Sequence, residues 1–125
     1  MNKMEFWTRI QQIKEISMFA ALNRIDGQRD LYKMMLQLMI KEIENCNINL
    51  NRFLSENDMH NFRIEIHGMK GSLANIGAVE LAEKAHNLEL ASMKMDADYC
   101  VSNLPVLLEE LNNLNLKLKE AFSEQ

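Results

Sequence analysis

The sequence predicts an all-α protein: an antiparallel up-down four-helix bundle with an additional short N-terminal helix or helices. Three observations carry that expectation. Apolar residues recur in steps of three and four along several stretches, and β-branched alternation at period two is absent. The 125 residues contain only four glycines and one proline, a globular, helix-leaning profile and not a disordered or fibrous one. The third observation is length: one domain of this size buries roughly two thirds of its unfolded surface without help from disulfides or metals.

The elements follow in order. Residues 4–16 set Phe6, Trp7, Ile10 and Ile13 at helical spacing and read as an extra helix or packed extension, residues 1–16, ahead of a bundle over 17–125. Ser17 suits the N-cap of a short helix over 18–25, and Asp26-Gly27 closes it. A long helix is then expected from about Asp30 to Leu54, with Leu31, Met34, Met35, Leu38, Met39 and Ile43 as a broad apolar face. Asn57-Asp58 opens the next, in which Met59, Phe62, Ile66, Met69, Leu73 and Ile76 alternate steps of three and four without a miss, the seam of a bundle helix. Gly77 reads as the left-handed residue that stops it. A further helix over 78–95 repeats the step with Ala78, Leu81, Ala85 and Leu88. The last, over 97–122, offers Val101, Leu104, Leu107, Leu108, Leu111, Leu114 and Leu118, with Pro105 near its start or kinking it. Four long helices with short connections make an up-down bundle.

Composition narrows the function classes. A net charge of −4 leaves no basic stripe to displace counterions from a polyanion, so nucleic acid is not an expected partner. Cys46 and Cys100 stand alone, without Cys or His at metal spacing, so neither a zinc site nor a disulfide framework is written here, and reduced thiols in a cytoplasmic setting are expected. No stretch approaches the roughly 20 apolar residues that span a bilayer, and the N-terminal residues lack the apolar block of a secretory signal. The ten methionines read as gap-fillers of a helical core rather than a Met-lined binding groove.

The chemistry concentrates at HGMKGS, residues 67–72. Two glycines in a helix interior, each about 1 kcal/mol worse than alanine, call for a compensating gain. Projected at about 100° per residue, His60, His67, Gly71 and Ala74 lie on the side away from the apolar stripe. His67 then points outward between two cations, Arg63 at i−4 and Lys70 at i+3, beside small residues at Gly71 and Ala74. Such an imidazole offers a nucleophilic nitrogen to a docked partner, with positive charge ready for an arriving phosphoryl group. An ordinary surface histidine, with Gly71 serving helix packing, is the alternative. His86, in AEKAHNLE, reads as solvated or half-buried. No nucleotide-binding loop or nucleophile elbow is present.

The run HGMKGSLANIGAVELAEKAHNLE resembles the signature of the histidine-containing phosphotransfer (HPt) domain: His, two residues, Lys-Gly-Ser, a small residue, Ile-Gly-Ala, a leucine and a closing Leu-Glu. Upstream, FAALNRIDGQRDLYKMMLQLMI resembles the same family's entry helix, glycine turn and second long helix. The resemblance spans about residues 17–122. It implies that His67 is phosphorylated, that Lys70 supports the phosphoryl group, that Gly71 gives the partner close access and that Ser72 fills the small polar position after it. Gly68 departs from the Thr or Ser more usual there, and Met69 from Leu.

The implied function is relay of a phosphoryl group between aspartates of receiver domains in two-component signalling, the chain acting as a carrier and not as an enzyme. Arg63, Gly71, Ser72 and Ala74 would form the partner-binding surface. The implied partners are response-regulator receiver domains and a hybrid sensor histidine kinase. No cofactor or metal of its own is expected; Mg2+ would sit on the receiver. A monomer in the cytoplasm is expected, free-standing or as the cytoplasmic part of a membrane-bound sensor, although Phe6 and Trp7 could supply a dimer contact. The rivals are a helical docking module that is never phosphorylated, and the dimerising phosphoacceptor module of a histidine kinase. The latter is disfavoured because an acidic residue and then a proline usually follow its histidine.

Overall fold

A computed structural model describes residues 3–123. Six helices follow one another: α1 (Lys3–Gln11), α2 (Met18–Arg24), α3 (Arg29–Ser55), α4 (Met59–Asn75), α5 (Val79–Met93) and α6 (Ala97–Ser123). Helices α3 to α6 form the bundle. Three-residue connections make sequential helices antiparallel, α4 packs between α3 and α5, and α6 closes the ring against both. No described helix is long and apolar enough to cross a membrane.

The three bundle connections share one device. Asn57, Gly77 and Met95 each take a left-handed conformation, with φ of 55°, 87° and 59°. In each, the following amide donates to the carbonyl five residues back, as in Asp58 to Phe53, Ala78 to Leu73 and Asp96 to Ala91, at 2.7–2.9 Å. These bonds cap the orphan carbonyls of the finished helix and turn the chain back on itself. Gly77 carries a second demand. Its carbonyl accepts a hydrogen bond from the Ser17 amide at 2.9 Å, so closely that a Cβ on Gly77 would lie 2.3 Å from the Ser17 carbonyl oxygen. Ser17 is also the expected N-cap of α2, accepting from the Ala20 amide at 3.3 Å, and Asp58 caps α4 through the Asn61 amide.

The seam read on α4 is buried throughout: Met59, Phe62, Ile66, Met69, Leu73 and Ile76 are each 3% exposed or less. On α3 the buried stripe is Tyr32, Leu36, Met39, Ile43, Cys46 and Leu50. The broad face expected there lies partly in solvent, with Met34 and Leu38 half exposed. The stripe a single facing groove can cover is narrower than the apolar surface this helix carries. Tyr32 is anchored by donating its hydroxyl to the Ile76 carbonyl at 2.8 Å. Burial, with Glu65 and Glu42 nearby, pushes the Cys46 thiol up to about 12, which keeps it out of thiolate chemistry.

Three sequence expectations need correction. The first helix ends at Gln11, not residue 16, because the chain must turn to bury both Ile13 and Ile16 and deliver Ser17 to Gly77. Phe6 and Trp7 do not form an outward contact: Phe6 is 1% exposed against Phe122, and Trp7 stacks on Tyr32 with Arg29 over its face. Val101 is exposed, and Cys100 takes the inward position instead. Pro105 lies inside α6 with an exposed side chain, and the carbonyl it cannot bond belongs to the exposed Val101.

Candidate functional site

Because α4 buries its seam between α3 and α5, its opposite ridge faces solvent along His67, Gly68 and Gly71. The His67 side chain is 65% exposed. A Cβ built at either Gly68 or Gly71 meets nothing within 4 Å, so neither glycine serves helix packing. The ridge beside the ring is bare backbone.

The imidazole is held from one side. Nδ1 of His67 lies 2.5 Å from Oε2 of Glu89, on α5, while Oε1 of the same carboxylate accepts from the Lys70 ammonium at 2.6 Å. Burial acts to raise the pKa of Glu89, whose side chain is 11% exposed, but hydrogen bonds and charge from Lys70 and His67 outweigh it and hold the carboxyl below its usual range. An ionised carboxylate only accepts, so Nδ1 carries the proton and the lone pair of the neutral ring lies on Nε2, away from Glu89. His86 joins at the edge, with Nδ1 3.5 Å from both the Lys70 ammonium and Glu89 Oε1.

The two cations that flank the ring differ in their surroundings. Lys70 is neutralised by Glu89. Arg63, one turn earlier, lines with Ile64, His67, Glu89 and Met93 an open cleft of about 320 Å³. Among the described residues no hydrogen bond or ion pair engages its guanidinium. Ser72 sits about 140° round the helix from His67 by helical geometry, and its hydroxyl donates to Glu42 on α3 at 2.6 Å. Ala74 lies half-buried at the end of the ridge, its carbonyl accepting from Arg24 at 3.0 Å.

Glu89 is the functional residue that local reading of α4 missed. It comes from the next helix, 22 positions away. Its signal is on α5, where a carboxylate flanks the stripe of Leu81, Ala85 and Leu88 and is nearly buried with it. A charge in that position needs a partner across the interface.

The comparisons with known proteins bear on the fold and the family. The solved structure of histidine-containing phosphotransfer protein B (HptB) from Pseudomonas aeruginosa PAO1 superposes with a TM-score of 0.69 at 20% identity, covering 90% of this chain and 95% of that one. It shares the fold. A comparison with curated proteins gives no significant sequence match. The family model for the Hpt domain matches residues 34–119, a span that contains His67, Lys70, Gly71 and Glu89. A helical bundle with an exposed histidine on its central ridge and a match over most of its length has one reading: the chain belongs to the Hpt domain family of phosphocarrier modules, and its function is histidine phosphotransfer in two-component signalling.

Proposed function

We propose that His67 is the transient phosphoacceptor, taking a phosphoryl group from the aspartyl phosphate of one receiver domain and surrendering it to the aspartate of another. The observation that carries this reading is the Glu89 carboxylate on Nδ1 of an exposed ring. It fixes the tautomer in which Nε2 is the nucleophile and turns that nitrogen toward solvent.

In the transfer, the Nε2 lone pair forms the N–P bond as the P–O bond to the receiver aspartate breaks. The electrons of that bond return to the aspartate carboxylate. The ring, still protonated at Nδ1, becomes positively charged, and Glu89 faces that charge. Lys70 steadies Glu89 and adds positive charge beside the ring, which is its support for the phosphoryl group. The transition state is loose and in line, so the chain contributes positioning and electrostatics. Mg2+ belongs to the receiver. Gly68 and Gly71 let the receiver's backbone approach the ridge, with Arg63 and Ala74 at its borders, while Ser72 supports the ridge from the α3 side. The chain works as a monomeric carrier in the cytoplasm, recharged through a hybrid sensor kinase and discharged by its receiver. It completes no turnover alone.

The test mixes the purified protein with a receiver domain charged with radiolabelled phosphoryl. Label that is acid-labile, base-stable and lost in His67→Gln is the expected result. Label on another residue, or an undiminished signal in His67→Gln, would remove His67 from the role.

A further inference from the structure

We propose that Arg63, and not Lys70, makes the direct contact to the phosphoryl group once it is on His67. The inference rests on the reading of His67 as the acceptor and assigns the cation that this reading leaves open.

Three observations converge on it. Both oxygens of Glu89 are committed, one to Nδ1 of His67 and one to Lys70, so the Lys70 ammonium already has a carboxylate at 2.6 Å and its side chain is only 28% exposed. The ammonium keeps further N–H donors, but Glu89 holds it on the Nδ1 side of the ring, away from the nitrogen that takes the phosphoryl group. Arg63 has no such commitment. It lies at i−4 from His67, and helical side chains lean toward the N-terminus, so the ring is carried over the turn that bears Arg63 and Ile64. The open cleft beside the ring is lined by Arg63, Ile64, His67, Glu89 and Met93, and Lys70 is not among its walls. Among the residues lining the cleft that the ring borders, Arg63 is the one lysine or arginine available to a dianionic group on Nε2. The planar guanidinium can give two N–H donors to two phosphoryl oxygens, which an ammonium cannot match in geometry. The local charges then pair off, Lys70 with Glu89 and Arg63 with the phosphoryl group.

The experiment uses phosphoramidate, a small phosphoryl donor that needs no protein partner, with wild type, Arg63→Ala, Arg63→Lys, Lys70→Ala and His67→Gln. Two quantities are read: the initial rate of His67 labelling, and the pH midpoint of the second phosphoryl ionisation followed by 31P NMR on the labelled protein. Arg63→Ala should slow labelling by about threefold to tenfold and raise the ionisation midpoint by about half a pH unit, with Arg63→Lys between it and wild type. A midpoint that moves in Lys70→Ala and stays in Arg63→Ala assigns the contact to the lysine and overturns the inference, as does an Arg63→Ala protein that matches wild type in both readouts. Wild type that takes no label at His67 overturns the acceptor assignment and this one with it. Circular dichroism of each variant separates loss of fold from loss of contact.

Discussion

Gly71 and Gly77 lie six residues apart at the end of the same helix, yet they answer to different demands. Gly77 has a φ of 87° and no room for a Cβ, because the Ser17 carbonyl oxygen would lie 2.3 Å from it. Gly71 is helical and looks onto open space, as does Gly68. One glycine is required by the path of the chain. The other two weaken the helix that carries them and leave a bare strip beside an exposed imidazole. The comparison separates a glycine that the fold requires from two that it does not, the latter being those the proposed function assigns to a docking receiver, and the two kinds make opposite predictions for the same substitution.

The largest effect belongs to Gly77. Gly77→Ala combines a strained left-handed backbone with a clash against main chain, and it should cost about 3 kcal/mol or more in urea-induced unfolding. The effect should come entirely from stability, since residue 77 is buried away from the ridge. At Gly68 and Gly71 the sign reverses. The double variant Gly68→Ala, Gly71→Ala should raise the unfolding free energy by about 1–2 kcal/mol through helix propensity, while slowing transfer from a phosphorylated receiver and leaving phosphoramidate labelling of His67 intact. Destabilisation by the pair would break the comparison and return both glycines to the service of packing.

Most of this architecture was legible in the residues because it follows from local rules. The α4 seam, the Ser17 and Asp58 caps and the Gly77 stop each depend on a few neighbouring positions. The outward placement of His67 followed from the same 100° projection. The misreadings are where several elements compete. On α3 more apolar residues are present than the groove admits, and only the packing of α4 and α6 selects Tyr32 and Leu36 over Met34 and Leu38. The end of α1 is set by Ser17 meeting Gly77, a contact across 60 residues. The site divides in the same way. Arg63, His67, Lys70 and Gly71 share one helix and could be read together, whereas Glu89 reaches the ring from α5 and pairs with Lys70 as well.

Glu89 supplies the subtlest test, because it serves fold and site together. Burial acts to raise its pKa, and the hydrogen bonds and charges of Lys70 and His67 lower it by more, so its folded value lies below its ordinary one. The unfolded chain therefore takes up the proton first as pH falls. The stabilising contribution is complete above the unfolded value, about 4.3 for glutamate, and is lost as the pH falls through the folded value. Wild type should exceed Glu89→Gln in unfolding free energy by about 2 kcal/mol at pH 7, the scale of one hydrogen bond to a charged group. The gap should narrow below about pH 4. Urea titrations of both proteins across pH 7 to 3 read it directly. A gap that stays constant over that range would mean that the pairing with Lys70 and His67 does not favour the ionised form of Glu89. A narrowing gap would tie the ionised Glu89 to the fold through Lys70 and His67, as Gly77 is tied to it through Ser17, though more weakly.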